Sequence, residues 1–460
     1  MPKAIFRNVS GGVVDLDPSR LPEASVQRAV NVTFRGLAPK TRPGFVARET
    51  LSEDPETPRG FKKGYLQGAF DYRPDSGNPT MVLVIDGSIY LWEPSTDVLL
   101  RQDASAGPMS PQAERVWAQQ RGGELIIQDG VHRPRIVVPG STRVSKRSTK
   151  EIPVGTCMAN GHGRVTMATV NRRTFIAGDH ELAQGVVPDV GLHTFTDTDY
   201  LFNAGAMQPP SEHGEIIAQK YVQQYDTSTG VGALVVFSDR GLTAFATNVP
   251  RTQWSTQDIS QVLMSGDNVG AVSPDAVVPY GEDLFYVSPE GLKSIRTARA
   301  TNLPFQVVNL SADVLPVWQD QDRYTRKFCS AVAHDSRILY TVGASQERPD
   351  GRPPRPYFKG ILAYNLDPVN GRVGRPVQDG VWTGLKIQRL VSVGHRSFIV
   401  AWDNGENRIY EIDPEARHDV DPSGEDKAIG CQLWFGSSAF DGLGDWKDIG
   451  KVSLGLRKLV

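Results

Sequence analysis

One unit recurs along most of this chain: an apolar run rich in β-branched residues, a tight turn of an acidic residue and Gly, and a second apolar run. The first clear copy places residues 81–85 before Asp86 and Gly87, and residues 89–92 after them. Two such runs around a short turn predict a β-hairpin. The other clear copies have their turns at Asp129 and Gly130, Asp239 and Gly241, Glu290 and Gly291, and Asp403 and Gly405. Two looser copies cover residues 165–178 and 337–364.

The spacing of these units predicts the architecture. Gly87 and Gly130 lie 43 residues apart, and Gly241 and Gly291 lie 50 residues apart. Units of several short strands at this period are typical of β-propeller blades. The chain contains 45 Gly and 32 Pro, which agrees with many turns between short strands. The sequence therefore predicts an all-β protein with a β-propeller-like body of six to eight blades.

The two ends differ from the repeated region and set the predicted domain boundaries. Residues 1–60 are rich in Pro, Arg and Gly and have few apolar runs, which predicts an extended N-terminal arm. Residues 61–425 hold the repeated units and form the predicted propeller body. Apolar runs resume at 429–435 and 452–459, so residues 426–460 are predicted to form a small C-terminal β element that serves as an assembly contact.

Motifs of known enzyme chemistry are missing from the sequence. It has no nucleophile-elbow, P-loop, zinc-protease or kinase pattern, and its eight histidines are not at metal-ligand spacing. We therefore predict no catalytic residue, no cofactor-binding residue, no metal ligand and no cofactor. No window approaches the length of apolar chain that a membrane span needs, so no membrane segment is expected.

Charge is distributed in two opposite runs, although the net charge is only −2. Residues 133–150 contain six basic and no acidic residues: Arg133, Arg135, Arg143, Lys146, Arg147 and Lys150. They form either a solvated loop or a contact patch for an acidic partner surface or a nucleic-acid backbone. Residues 403–427 contain nine acidic and three basic residues. Seven of these acids are candidates for a surface that repels phosphate groups: Asp403, Glu406, Glu411, Asp413, Glu415, Asp419 and Asp421.

The N-terminal run carries a recognisable pattern. It contains Gly11-Gly12 within residues 6–15, then residues 20–24, then Asn31-Val, Gly36-Leu-Ala-Pro-Lys and Arg42-Pro-Gly-Phe. This run resembles the N-terminal segment of tail nozzle, or tail tubular, proteins of short-tailed bacteriophages, and of related phage-tail β-propeller proteins. Shorter stretches farther along are similar to the blades of that family: residues 163–179, 232–241, 266–291 and 381–382.

The resemblance implies a function. Members of this family are virion structural proteins and have no catalytic motif to carry over. A subunit of this kind forms a ring, by the resemblance a hexamer, that extends the DNA channel below the portal and adaptor, retains the packaged genome and lets it pass at ejection. Its partners are copies of itself, adaptor and portal-side tail proteins, and tail fibres or a needle. DNA passes without specific binding, and the protein is located in the virion tail after assembly in the host cytoplasm.

The family pattern has one departure and leaves two alternatives open. In the family a longer β domain or platform follows the propeller, whereas the sequence here reaches only Val460, so we expect a reduced one. One alternative is a tail-associated propeller module that binds host carbohydrate or a receptor. The other is a polysaccharide-degrading enzyme, although the repeated turns of propeller sialidases are missing from this sequence. The acidic run is expected to line or flank the ring lumen, and the basic run to contact a protein neighbour.

Overall fold

The computed structural model describes residues 26–434 with internal gaps at 36–37, 103–105, 147–150, 179–194, 196–205, 227–230, 249–252, 255–257, 268, 282, 296–309, 311–321, 348–353 and 367–376. Several residues of the resemblance, at 6–15, 20–24 and 36–37, lie outside this part of the chain. So do Arg147 and Lys150 of the basic run and residues 435–460 of the predicted C-terminal element.

Five small antiparallel sheets follow one another along the chain. Each contains consecutive strands in sequence order, as expected for propeller blades. Blade 1 contains β5 (Leu66–Tyr72), β6 (Thr80–Ile85), β7 (Ser88–Glu93) and β8 (Val98–Arg101), and blade 2 contains β9 (Trp117–Arg121), β10 (Glu124–Gln128), β11 (Arg135–Val138) and β12 (Ser141–Val144). Blade 3 contains β13 (Met158–Gly161), β14 (Arg164–Ala168), β15 (Phe175–Ala177) and β16 (Ala206–Met207). Blade 4 contains β17 (Ile216–Asp226), β18 (Val231–Ser238), β19 (Gly241–Phe245) and β20 (Ser260–Ser265), and blade 5 contains β21 (Val277–Tyr280), β22 (Asp283–Ser288) and β23 (Gly291–Ser294).

The described strands after residue 330 belong to one eleven-stranded sheet, which we call the large sheet. It contains β24 (Ala331–His334), β25 (Arg337–Glu347), β26 (Arg355–Asn365), β27 (Val377–Val393), β28 (Arg396–Asp403), β29 (Glu406–Asp413), β30 (Asp419–Val420), β31 (Asp426–Lys427) and β32 (Gln432–Trp434). Two strands from the N-terminal segment belong to it as well, β1 (Arg28–Val30) and β4 (Gly44–Arg48), while β2 (Val32–Arg35) and β3 (Ala38–Thr41) pair with each other. Helices are short: α1 (Glu56–Lys63), α2 (Arg323–Arg326) and the 3-10 turns Ser211–His213 and Pro274–Ala276.

Strand β6 shows why these apolar runs become blades. Its residues alternate between two cores: Met81, Leu83 and Ile85 pack toward the large sheet, whereas Val82 and Val84 pack toward blade 2. Successive side chains of a strand point to opposite faces, so a strand that is buried on both faces reads as a continuous apolar run. Further apolar clusters fill the interfaces between blades 2 and 3, 3 and 4, and 4 and 5.

The tight turns have the backbone geometry that their residues predict. At the turn between β6 and β7, φ is 47° at Asp86 and 81° at Gly87, which is typical of a type I′ hairpin turn. A Cβ on Gly87 would approach the carbonyl oxygen of Met109 to 2.4 Å, so only glycine fits there. The turn at Asn404 and Gly405 has the same signs, with φ of 49° and 80°.

Strand β27 gives the large sheet two blade-like halves. Its first half pairs with β26, and its second half, from Ile387 to Val393, pairs with β28. The innermost strands contact one another in the order β5, β9, β13, β17, β21, β24 and β27, and β27 contacts β5. The blades therefore surround a central axis in a closed ring. Radial repetition of this kind leaves only short, protected sheet edges.

The N-terminal segment takes part in this closure. Strand β4 pairs antiparallel with β29 along the outer side of the large sheet, and β1 lies between β27 and β32. Residues 28–48 fall within the predicted extended arm, and their four strands pair within the large sheet or with each other. This pairing had no local signature, because β4 lies more than 350 residues away from β29 in sequence.

The predicted all-β, propeller-like fold is confirmed. The blades that stand as separate sheets number five in the described part of the chain, fewer than the six to eight predicted. The difference arises because the strands after residue 330 are joined through β27 into one large sheet instead of separating into individual blades.

Candidate functional site: the central cavity and the N-terminal clasp

A central cavity of about 600 Å³ runs along the propeller axis. All of the innermost strands or the segments beside them contribute to its wall, which places the cavity inside the ring of blades. At one end, Arg73 and His395 are exposed, so the cavity reaches solvent there. Its volume lies within the usual range for small-molecule sites and is far too small for duplex DNA.

A charged cluster lies at the other end of the inner strands, where Asp275 is held between two arginines. The Asp275 carboxylate is 2.9 Å from an Nη atom of Arg115 and 2.5 Å from an Nη atom of Arg389. Asp275 is in the 3-10 turn capped by Ser273. Arg389 is 7% exposed and its guanidinium lies 5.0 Å from the ring centre of Phe70, while that of Arg115 lies 5.3 Å from the ring centre of Phe328. Burial lowers the pKa of Arg389, and Asp275 opposes that shift.

Lys220 adds a third cation to the cavity. It lies on β17 and is surrounded by protein, although it keeps some accessible surface toward the cavity. Desolvation lowers the pKa of Lys220, and the nearby Asp275 carboxylate partly offsets the effect. Burial raises the pKa of the neighbouring Cys157 thiol to about 12, so this thiol stays neutral and does not balance the charge. Arg115 and Arg389 thus carry two positive charges against the single negative charge of Asp275, and Lys220 adds a third when its amine is protonated.

The lowered pKa of Lys220 predicts a pH effect on stability. A lysine whose pKa is lower in the folded protein binds fewer protons there than in the unfolded chain, so its contribution to the free energy of unfolding rises with pH up to the unfolded value of 10.5. Lys220→Met keeps the alkyl chain and removes the titration. We expect wild type to gain stability over this variant as the pH rises toward the unfolded value, measured by urea unfolding. Parallel pH curves for the two proteins would contradict the assignment.

Gln219 is one of several uncharged polar residues that line the cavity, with Gln119, Gln120 and Ser392. It is 1% exposed, and neither its Nε2 nor its Oε1 atom has a hydrogen-bond partner among the described residues. An unsatisfied buried amide costs free energy, because its hydrogen bonds to water are lost and no protein group replaces them.

At the solvent end of the cavity, Arg73 donates to Asp71 at 2.8 Å and to the Gly394 carbonyl at 3.2 Å, so its charge is already balanced.

A second polar centre, which we call the N-terminal clasp, contains Asn31, Arg42, Gly44, Phe45 and Asp419. Arg42 is 1% exposed and donates to the Asn31 side-chain oxygen at 3.0 Å and to both carboxylate oxygens of Asp419 at 2.8 Å. Its guanidinium stacks on Phe45, 3.7 Å from the ring centre. A Cβ on Gly44 would come within 2.2 Å of the His418 carbonyl oxygen. The clasp therefore attaches the start of β4 to the start of β30.

The clasp explains residues that the sequence pattern had singled out. Asn31 has a φ of 56°, and its side chain also accepts the Thr383 N–H at 2.7 Å and donates to the Gly430 carbonyl at 2.9 Å. Asn31, Arg42, Gly44 and Phe45 all belong to the N-terminal run that resembles the phage family. The fold brings them together with Asp419, the one clasp member that comes from the acidic run.

The acidic run lies on the outer strands of the large sheet, and none of its seven candidate residues lines the central cavity. Most of these carboxylates bind a neighbour. Glu411 pairs with Arg396, Glu406 with Lys63 at 3.2 Å, and Asp421 with Lys427 at 3.0 Å. Asp403 accepts from the Tyr410 hydroxyl, Asp413 accepts from the Glu415 N–H, and Glu415 is exposed. A role for this surface in the lumen of a ring of copies stays a prediction.

The basic run is only partly available for a partner. Arg135 is 7% exposed and donates to the carbonyls of Gly107, Pro108 and Arg133. Arg143 pairs with Glu151 at 2.9 Å, a carboxylate that follows the run directly. Arg133 donates to the Ser145 carbonyl, and Lys146 is exposed. Among the described residues of the basic run, Arg133 and Lys146 are therefore the exposed ones. A contact role for the run stays a prediction.

Sequence reasoning missed the cavity cluster. Arg115, Lys220, Asp275 and Arg389 come from four separate segments, so no spacing joins them. A weak signal was present: Lys220 and Arg389 each interrupt a strand that is otherwise largely apolar on its buried face, and ionisable residues are rarely buried unless they are paired.

Within the described ranges, no group of three or more His, Cys, Asp or Glu side chains is placed to hold a metal ion. No helix in that part of the chain is long and apolar enough to cross a membrane.

Comparison with known proteins gives similarity to propellers at a low level. No protein-family model and no curated protein matches this chain. It is similar to the RRP9 WD40 repeats at 9% identity, with 81% of this chain and 99% of that chain covered and a TM-score of 0.48. It is also similar to BamB from Moraxella catarrhalis at 10% identity, with 77% and 85% covered and a TM-score of 0.38. Similarity at this level says nothing about function, and the fold is established by the strand pairing of this chain.

Proposed function

We propose that this protein is a structural subunit of a phage tail, a ring-forming nozzle or hub subunit that extends the DNA channel below the portal and adaptor. The observation that carries the proposal is the resemblance of the N-terminal run to that of phage nozzle proteins. Residues of this run stabilise the fold: Asn31, Arg42 and Gly44 form the clasp that attaches the N-terminal strands to the large sheet. The proposed role is structural and not catalytic.

In this proposal the DNA channel lies between copies of the protein. The propeller's own cavity of about 600 Å³ is too small for a duplex, and the Arg115, Asp275 and Arg389 cluster lies at one of its ends. A channel for DNA therefore requires a closed ring of subunits, in which each copy presents complementary patches on its two sides. Glu415, Glu425 and Asp426 are exposed at or near β30 and β31 and are candidates for the lumen surface.

The ring is the testable part of the proposal. We expect purified protein, alone or mixed with adaptor and portal-side tail proteins, to form closed rings with a central opening wide enough for duplex DNA. Light scattering coupled to size-exclusion chromatography gives the copy number, and negative-stain electron microscopy shows the opening. The same rings should bind double-stranded DNA no better than about millimolar at physiological salt, because a conduit that grips phosphate groups would hold the genome back.

Two outcomes would contradict the nozzle proposal. One is a protein that stays monomeric under all of these conditions. The other is micromolar DNA binding with a steep salt dependence that is lost on replacing Arg143 and Lys146 with Gln, which would indicate a DNA-gripping protein. Glu56→Gln, an exposed change outside both charge runs, is the control and should alter neither assembly nor DNA binding.

A surface groove favours one alternative, a tail-associated propeller module that binds host carbohydrate. The groove has a volume of about 570 Å³ and is lined by Tyr357 and Trp402, with Lys359, Asp403 and Asn404 beside them. Aromatic faces next to polar side chains offer both an apolar platform and hydrogen-bonding groups. Arg355 already stacks on the Trp402 ring, 3.2 Å from its centre, which leaves less of that ring for a sugar. A monomer that is retained on a glycan resin would support this alternative over the ring.

A further inference from the structure

The central cavity has an unbalanced charge and an unsatisfied hydrogen-bonding group. Arg115 and Arg389 both pair with Asp275, which leaves an excess of one positive charge, and the Lys220 amine near Asp275 adds a second when it is protonated. Charges in a confined site of low polarity are screened weakly, so this excess attracts an anion strongly. The Lys220 ammonium has no hydrogen bond to any described residue, and Asp275 is already shared by the two arginines.

Gln219 supplies an independent indication of a ligand. Both ends of its side-chain amide, a donor and an acceptor, lack partners in the described structure, and the residue lines the same cavity as Lys220, Asp275 and Arg389. Buried polar groups are nearly always hydrogen-bonded, and each exception calls for an explanation. A ligand that accepts one hydrogen bond and donates another would satisfy both atoms of this amide.

We propose that the central cavity is a binding site for a phosphate group, free or in a small monoester. At neutral pH a phosphate group carries about −1.5 to −2 charges, which the excess positive charge attracts, and its negative charge favours the protonated form of Lys220. Its oxygens accept from Lys220, Arg389 and the Gln219 Nε2 atom. The P–OH group of hydrogen phosphate, or of a monoester in its monoanionic form, donates to the Gln219 Oε1 atom. Sulfate carries the same charge but has no proton to donate. The site is independent of the nozzle proposal, because it is contained within one propeller.

Thermal unfolding with inorganic phosphate tests the proposal. We expect phosphate to raise the Tm of the full chain saturably, because a ligand that binds only the folded state stabilises it by mass action. Sodium sulfate at equal ionic strength should raise it less. Glycerol 1-phosphate is tested in parallel, and a larger shift than with inorganic phosphate would identify a monoester as the preferred ligand.

Gln219→Leu separates this site from phosphate binding elsewhere. Leucine has a similar size and removes an amide that has no partner, so the variant should be at least as stable as wild type without phosphate. Hydrogen bonds to a charged group contribute about 1.5–3 kcal/mol, so we expect phosphate binding to weaken at least about tenfold. The matched control is Gln378→Leu, a change at a buried glutamine outside the cavity, which should keep the full phosphate shift.

The outcomes are decisive in both directions. A saturable phosphate shift that Gln219→Leu weakens and Gln378→Leu preserves supports the site. A phosphate shift equal to that of sulfate in wild type, or an undiminished shift in Gln219→Leu, would overturn it. Loss of the ring in assembly experiments leaves these results unchanged, so failure of the nozzle proposal and failure of the phosphate site are distinguishable.

Discussion

Arg42→Ala is expected to lower the free energy of unfolding by about 3–5 kcal/mol, the range for removing one partner of a buried ion pair. All five N–H groups of Arg42 are used: Nε donates to Asn31, and the two Nη atoms donate to the Pro43 and Thr383 carbonyls and to both oxygens of Asp419. Alanine would remove these five hydrogen bonds and the stacking on Phe45, and would leave Asn31 with only the Thr383 donors and Asp419 with only the Phe45 N–H. Urea unfolding, followed by intrinsic fluorescence, gives the loss.

Two further variants test whether the contacts of Arg42 cause this loss of stability. Arg42→Lys keeps the charge but cannot form the forked contact with Asp419, so it should lose most of the same stability. Arg59→Ala removes an arginine that is 76% exposed and pairs with Glu56 at 3.5 Å, and should change stability by less than about 1 kcal/mol. If Arg42→Ala were as mild as Arg59→Ala, the clasp would not be what holds the N-terminal strands in the large sheet.

The parts of the fold that could be predicted from the sequence are those with local causes. The run at residues 81–85, the Asp86 and Gly87 turn and the following apolar run form a hairpin in the positions predicted. The residue preferences of the turn and the burial of β6 on both faces involve only a few consecutive residues. Both features can therefore be predicted from the local sequence. The pairing of β4 with β29 joins opposite ends of the chain. The sequence of a strand as short as Gly44–Arg48 does not predict which strand it pairs with.

The charged sites were harder to predict for a related reason. The acidic run is dense in sequence, but the fold spreads its members and supplies cations from other strands, such as Arg42 for Asp419 and Arg396 for Glu411. The central cluster shows the reverse: Arg115 and Asp275 are far apart in sequence and meet at 2.9 Å. Charge runs in a sequence therefore do not predict the electrostatic field inside a propeller. The reason is that each blade brings residues from a different part of the chain to the central axis.

The cavity cluster predicts a second large loss of stability, in the variant Asp275→Asn. Asparagine keeps the size of the side chain and removes its charge, which leaves Arg115, Arg389 and Lys220 facing one another with no anion between them. We expect the free energy of unfolding to fall by about 3 kcal/mol, the lower end of the range for breaking a buried pair. The lower end applies because Asp275 remains 17% exposed, so solvent screens part of the repulsion.

The cause of that loss can be separated from a packing defect. If repulsion among the cations is responsible, Arg389→Met should be less costly in the Asp275→Asn protein than in wild type, and a double-mutant cycle measures the difference. Added salt should also restore part of the lost stability, because it screens like charges near the solvent-accessible cavity. Glu56→Gln makes the same chemical change at an exposed ion pair and should be nearly neutral. Additive effects of Asp275→Asn and Arg389→Met, with no response to salt, would mean that Asp275 holds its turn in place and does not balance the charge of the cavity.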